Sequence, residues 1–274
     1  MVLEMLKDIT IGQFLPGNSV VHRLDPRTKI ALVFAFIIMI FMLNNIVAYI
    51  PVALLLFAVT ATAKIPLKMI LKSLKPLLFF IIITAVINLF LTDGRVVFRM
   101  GFLKITHEGI IMTVQMALRL VFLVAGTSIL TYTTSPIVLT DGIESILKPL
   151  KVIKVPSHEI AMMMTIALRF IPIIIDETDK ITKAQAARGA DFESGNILQR
   201  AKALVPILVP LFISAFRRAD DLAIAMECRC YRGGENRTKL KQLKMSSADF
   251  GAFAVTAAVF AVIFIVNFKL HIGV

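Results

Sequence analysis

Two arginines raise the first chemical question. Arg188 stands in Ala187-Arg188-Gly189 and Arg229 in Cys228-Arg229-Cys230, each between small side chains. A guanidinium is always charged and carries a rigid fork of N–H donors that matches a carboxylate bidentately, so small neighbours leave it free to enter a groove. The plainer reading is electrostatic: a cation at a helix C-terminus interacts favourably with the helix dipole, by about 0.3–1 kcal/mol. The dipole accounts for the charge but not for small flanking residues twice over, and from the residues alone both readings stand. Cys228-x-Cys230 has the form of half a metal site, but zinc takes four ligands and the chain has only these two cysteines. The four histidines (His22, His107, His158, His271) fall in separate segments. No metal or other cofactor is expected, and the cysteines read as reduced thiols facing the cytosol.

The elements that carry the two arginines are alike. Each runs from a proline (Pro172, Pro210) through an apolar turn to an acidic pair (Asp176-Glu177, Asp220-Asp221) and on to the arginine, 16 residues after the proline in one and 19 in the other. In the first, Leu168, Ile171, Ile175 and Ile181 recur at helical spacing from Met164 onward, with Asp176–Lys180 and Asp179–Lys183 as i,i+4 ion pairs on the wet side. Pro172 is expected to kink this helix, and Gly189 to end it. The second is expected to begin at Leu211, after Pro206 and Pro210. Phe212, Phe216, Ala219, Ala223 and Met226 form one stripe, Arg217, Arg218, Asp220 and Asp221 the other, and Gly233-Gly234 follows. Each helix meets its charge cluster after about 14 to 16 apolar residues, short of the roughly 20 that one crossing needs. Both are therefore expected in or under the membrane interface.

The rest of the 274-residue chain supplies the membrane. It is 58% hydrophobic with a mean hydropathy of +0.84, and Ile30 to Ala63 runs 34 residues without Asp, Glu, Lys or Arg. That run suits a hairpin of two short or tilted spans hinged near Asn44-Asn45. Lys64, Lys68, Lys72 and Lys75 mark a cytosolic connection, Pro76 to Thr92 is span three, Ile110 to Tyr132 span four and Phe250 to Phe268 span five. The expected fold is an all-α integral membrane protein with about five transmembrane helices and a cytosolic or interfacial domain of long amphipathic helices between spans four and five. Its parts are 1–132 (N-terminal segment and spans one to four), 133–247 (the amphipathic-helix domain) and 248–274 (last span and C-terminus). The first 29 residues hold seven charged side chains and no signal-peptide core, so a cytosolic N-terminus is expected. Ile137 to Ser247 then faces the cytosol with 17 Lys+Arg, against three in the external loop between Asp93 and Glu108. The net charge of +12 is explained by that bias, and nucleic acid is not needed as a partner.

Several constellations are missing. None of the 13 glycines precedes a lysine, so no phosphate loop of the GxxxxGK[ST] kind exists. Spans one, two, three and five carry no Asp, Glu, Lys or His relay, and Ser-His-Asp and HExxH patterns are absent. Arg119 is either an intramembrane functional charge or, if span four shifts toward Leu120–Thr140, an interfacial snorkelling residue. Asn88 and Gln115 are polar interruptions able to join helices. Asp93-Gly94 and Asp141-Gly142 read as turn or cap signals.

Three separated motifs stand in order along the chain: Leu24-Asp25-Pro26-Arg27-Thr28-Lys29; Arg169-Phe170-Ile171-Pro172 with Ala184-Gln185-Ala186-Ala187-Arg188-Gly189; and Arg217-Arg218-Ala219-Asp220 leading to Ala225-Met226-Glu227-Cys228-Arg229-Cys230-Tyr231. Together they resemble the motifs of the transmembrane T component of energy-coupling factor (ECF) transporters, micronutrient importers of the ABC class. The last motif departs from the usual Ala-Arg-Gly, which bears on how closely its neighbours pack. The resemblance implies a non-catalytic scaffold in a prokaryotic plasma membrane. Its partners would be two ABC-type ATPase subunits, a membrane-embedded substrate-binding S component and the lipid bilayer. It further implies that Arg188 and Arg229 each enter a groove on one ATPase subunit, for uptake of a vitamin or a transition-metal ion such as cobalt or nickel. The rival readings are an autonomous secondary carrier of small solutes and an integral-membrane enzyme.

Overall fold

A computed structural model of the chain describes residues 14–100, 103–153, 156–190, 192, 196–233 and 242–271. Glu4, Lys7, Asp8 and Gly234 lie outside them. The described residues divide into two compact units, one of residues 14–142 with 242–271, the other of those from Ile143 to Gly233.

In the first unit α1 (Val20–Arg23) precedes α2 (Pro26–Phe41), α3 (Tyr49–Ala63), α4 (Leu67–Leu74) and α5 (Leu78–Leu91). Strands β1 (Val96–Met100) and β2 (Leu103–Thr106) lead into α6 (His107–Thr133), α7 begins at Pro136 and runs to Leu147, and α10 (Ser247–His271) returns at the end. Pro26 starts α2 where its missing N–H costs nothing, and the Asp25 carboxylate accepts from the Arg27 N–H at 2.9 Å. The charge-free run does break into a hairpin at Asn44-Asn45, where the Asn45 side chain caps a short 3-10 turn before α3. The core lies where α2, α3, α6 and α10 meet, at Phe36, Ile40, Leu43, Tyr49, Val52 and Ile263. Gly126 of α6 permits this approach, since a Cβ there would sit 2.3 Å from the Phe36 ring. Outside the core, large apolar side chains such as Phe34, Phe57, Phe79 and Phe264 are exposed, the signature of a lipid-facing surface.

Two polar knots hold the apolar helices. At one level the buried Lys29 ammonium donates to the His22 carbonyl (3.1 Å), the Thr133 carbonyl (3.0 Å) and Thr134 Oγ1 (3.1 Å). Beside it, buried Asp249 accepts from the backbone N–H groups of Asp25 (2.8 Å) and Ser246 (2.7 Å). The end of α6 and the start of α10 are thus tied to the start of α2. At the other level the backbone of the turn after α2 is wrapped by side chains: Arg119 Nη2 donates to the Leu43 carbonyl (2.8 Å), Gln115 Nε2 to the Asn44 carbonyl (2.6 Å), and Asn267 Oδ1 accepts from the Asn44 N–H (3.2 Å). Arg119 sits in the interior of α6, over the Phe41 ring at 5.8 Å. The helix ends at Thr133, and this arginine satisfies a carbonyl left open at a helix end. Asn88, by contrast, bonds back to Thr84 of its own helix.

In the second unit α8 (Ser157–Ala187) contains Pro172, and α9 (Ile197–Cys228) contains both Pro206 and Pro210. The start expected at Leu211 is therefore 14 residues late, because both prolines lie within the helix and Asn196 opens it with a capping box. Three further expectations are corrected. The loop after α5 contains an antiparallel hairpin, β1 with β2. Asp141-Gly142 lies inside α7, where a Cβ on Gly142 would come within 3.0 Å of Pro26, so that glycine serves packing and not a turn. Of the two ion pairs foreseen on α8, Asp179–Lys183 forms, whereas it is Glu177, next to Asp176, that reaches across to α9.

Among the described residues six helices are long and apolar enough to cross a membrane: Ile46–Ala63, Leu67–Leu91, His107–Thr133, Ser157–Ala187, Leu198–Cys228 and Ser247–Asn267. This differs from the expected five in both directions. At 16 residues, or about 24 Å, α2 falls short, and the two arginine-bearing helices qualify by length. The all-α membrane architecture stands.

Candidate functional site: two arginine-capped helix ends

Arg188 and Arg229 occupy the same position at the ends of α8 and α9. Each is the C-cap, with φ −85° and ψ 4° for Arg188 and φ −92° and ψ 12° for Arg229. After α8 the Gly189 N–H donates to the Ala186 carbonyl (3.0 Å) and the Ala190 N–H to the Gln185 carbonyl (3.0 Å). After α9 the Cys230 N–H donates to the Glu227 carbonyl (2.8 Å) and the Tyr231 N–H to the Met226 carbonyl (3.0 Å). These are the paired bonds of a Schellman motif, formed twice. The motif needs a left-handed residue just after the cap, and Gly189 supplies it at φ +88°. In the second copy Cys230 takes it at φ +53°, a conformation that costs an L-residue about 1–2 kcal/mol. The departure from Ala-Arg-Gly therefore changes the side chain beside Arg229 without changing the backbone turn.

Ala187, Arg188, Gly189, Cys228, Arg229 and Cys230 are all exposed, and both cysteines are free. Among the described residues neither guanidinium has a hydrogen-bond or ion-pair partner, so both forks point outward with their donors unused. No group of three or more His, Cys, Asp or Glu side chains able to hold a metal occurs among those residues.

Two polar contacts join α8 to α9. Arg218 Nη2 donates to Glu177 Oε2 (2.7 Å), and Ser214 Oγ donates to Glu177 Oε1 (2.6 Å). With 39% and 26% of the two side chains exposed, this pair contributes on the order of 1 kcal/mol or less in water. Its role is to set geometry more than to add stability. The second contact follows from a proline. Pro210 has no N–H to offer the carbonyl of Pro206 one turn earlier, and Gln185 Nε2 donates to that carbonyl instead, at 3.3 Å. Glu177, Ser214, Arg218 and Gln185 were not among the site residues expected from the sequence. For Gln185 alone the sequence held a signal, a pair of prolines in an otherwise helical pattern, which leaves a carbonyl to be satisfied from outside.

Fold and helix ends together define an all-α, multi-pass membrane protein with two cationic helix tips. Residues 17–240 match the family model described as CbiQ, cobalt transport protein. Relatives titled energy-coupling factor transporter transmembrane protein EcfT include that of Thermosediminibacter oceani, 59% identical over 251 residues, covering 92% of this chain and 95% of that protein. That of Ruminiclostridium cellulolyticum is 56% identical over 252 residues (92% and 94%), and that of Bacillus subtilis 44% over 261 (95% and 98%). The chain belongs to the family of energy-coupling factor transporter transmembrane proteins. It is thus the multi-pass membrane component of a prokaryotic transporter complex, a role that fits a subunit without its own catalysis.

Proposed function

We propose that the chain is a mechanical coupler, in which Arg188 and Arg229 each dock into a groove on one of two ABC-type ATPase subunits. The observation that carries this reading is the duplicated, exposed, unpartnered arginine cap. A Schellman turn holds the cap rigidly, small neighbours clear the fork, and a carboxylate-lined groove is its chemical complement. The absence of any GxxxxGK[ST] sequence agrees with an energy source on separate subunits.

The remaining parts follow from charge and apolar surface. The N-terminus and the segment 133–247 lie on the cytosolic side, where 17 Lys+Arg between Ile137 and Ser247 satisfy the positive-inside bias. The exposed apolar side chains Leu208, Val209, Phe212, Ile213 and Phe216 of α9 form a surface for a membrane-embedded S component. ATP-driven closure of the ATPase pair moves the two helices together, and that surface passes the movement to the S component, which releases a vitamin or transition-metal ion inside. An autonomous carrier would need none of these partners. The test is affinity purification of the tagged chain from its native membrane. Nucleotide-binding subunits co-purify in the proposed complex, and their consistent absence under mild detergent would end it.

A further inference from the structure

We propose that the Glu177–Ser214–Arg218 contact is the fulcrum about which α8 and α9 swivel, with one arginine tip on an arm to either side of it. This rests on the coupler reading above and adds to it the pair of positioning residues.

The geometry comes from two contacts. Glu177 meets Ser214 and Arg218, and eight residues further along α8, Gln185 meets the carbonyl of Pro206, eight residues before Ser214 on α9. Advancing along one helix retreats along the other, so the two run antiparallel through their contact and their C-terminal tips lie on opposite sides of it. In that register Glu177 stands opposite Ser214; Glu177 precedes Arg188 by eleven residues and Ser214 precedes Arg229 by fifteen. The two arms are roughly 16 Å and 22 Å along their helices. A rotation at the contact therefore displaces both tips.

The crossing has the properties of a pivot. Two polar groups share one carboxylate, so the guanidinium and hydroxyl can roll around it without losing their partner. A cavity of about 40 Å³ lies against them, lined by Phe170, Ile174, Leu211 and Ala215, which leaves room at the point of rotation. The outer contact, from Gln185 to Pro206, is a single longer bond at 3.3 Å, with Gln185 three residues from the tip. It yields before the pivot does.

The test uses the whole complex, with ATPases and S component, in proteoliposomes, reading subunit retention, ATP hydrolysis and solute import together. Glu177→Gln and Arg218→Gln are each expected to retain the ATPase subunits and to hydrolyse ATP near the parental rate. Solute imported per ATP falls about tenfold, within the usual range of coupling between sites. The exchange Glu177→Arg with Arg218→Glu restores most of that ratio. An unchanged ratio in both single variants, no recovery in the exchange, or loss of the ATPase subunits from either single variant overturns the fulcrum. Failure of the unsubstituted chain to hold any ATPase subunit overturns the coupler reading instead.

Discussion

Reversing both tip charges, Arg188→Glu with Arg229→Glu, is expected to abolish capture of the ATPase subunits, while either change alone leaves capture readily detectable. The two contacts are linked through one rigid chain, so the second forms at high effective concentration and a single loss leaves an anchor. Linkage of this kind raises affinity by about 10²–10⁴ over one contact. A glutamate at each tip does more than remove a cation, since it places like charges against the carboxylate-lined groove proposed above. Both variants should fold as the parent does, because the Schellman bonds involve only backbone atoms and the exposed side chains have no other described partner. Quantitative pull-down of ATPase subunits at matched detergent and salt measures the effect. Full recovery by the double variant would show that the docking residues lie elsewhere.

The largest expected loss of stability comes from Lys29→Ala. Lys29 is 5% exposed and donates three hydrogen bonds within the first unit, and its charge faces the buried carboxylates of Asp249 and Asp25. Removing it strands two backbone carbonyls and takes away a buried cation beside those carboxylates. Breaking one partner of such a buried set costs about 3–5 kcal/mol. The exposed Lys75→Ala is the control, expected to change stability by about 0.5 kcal/mol or less. Thermal unfolding in detergent separates them, and equal melting of both variants would refute the structural role given to Lys29.

Much of this was readable in the residues because long apolar runs have few alternatives in a membrane. The stretch from Ile30 to Ala63 had to turn somewhere, and Asn44-Asn45 was its only polar pair, so the hairpin could be placed. Gly189 announced one helix end by type, and Arg188 followed from it. Cys230 announced nothing. A left-handed cysteine is a tertiary choice that no propensity favours, and only the backbone bonds show that it repeats the role of Gly189. The start of α9 was misplaced because Pro206 and Pro210 ordinarily stop a helix, whereas here a side chain from α8 satisfies a carbonyl they leave open. Glu177 and Arg218 are 41 residues apart, beyond the reach of any periodic pattern, so the crossing they share was invisible. The Asp141-Gly142 pair misled in the opposite sense. A turn signal by type, it lies in α7, where the missing Cβ lets Pro26 and Ile30 approach.

The central claim is that this chain transmits work that other subunits supply. It is tested most directly by reconstituting the purified chain alone in proteoliposomes, adding ATP or imposing an ion gradient, and following solute uptake and phosphate release. The account predicts neither, with both appearing once the ATPase pair and an S component are added to the same preparation. Sustained uptake or ATP hydrolysis by the chain alone would contradict it.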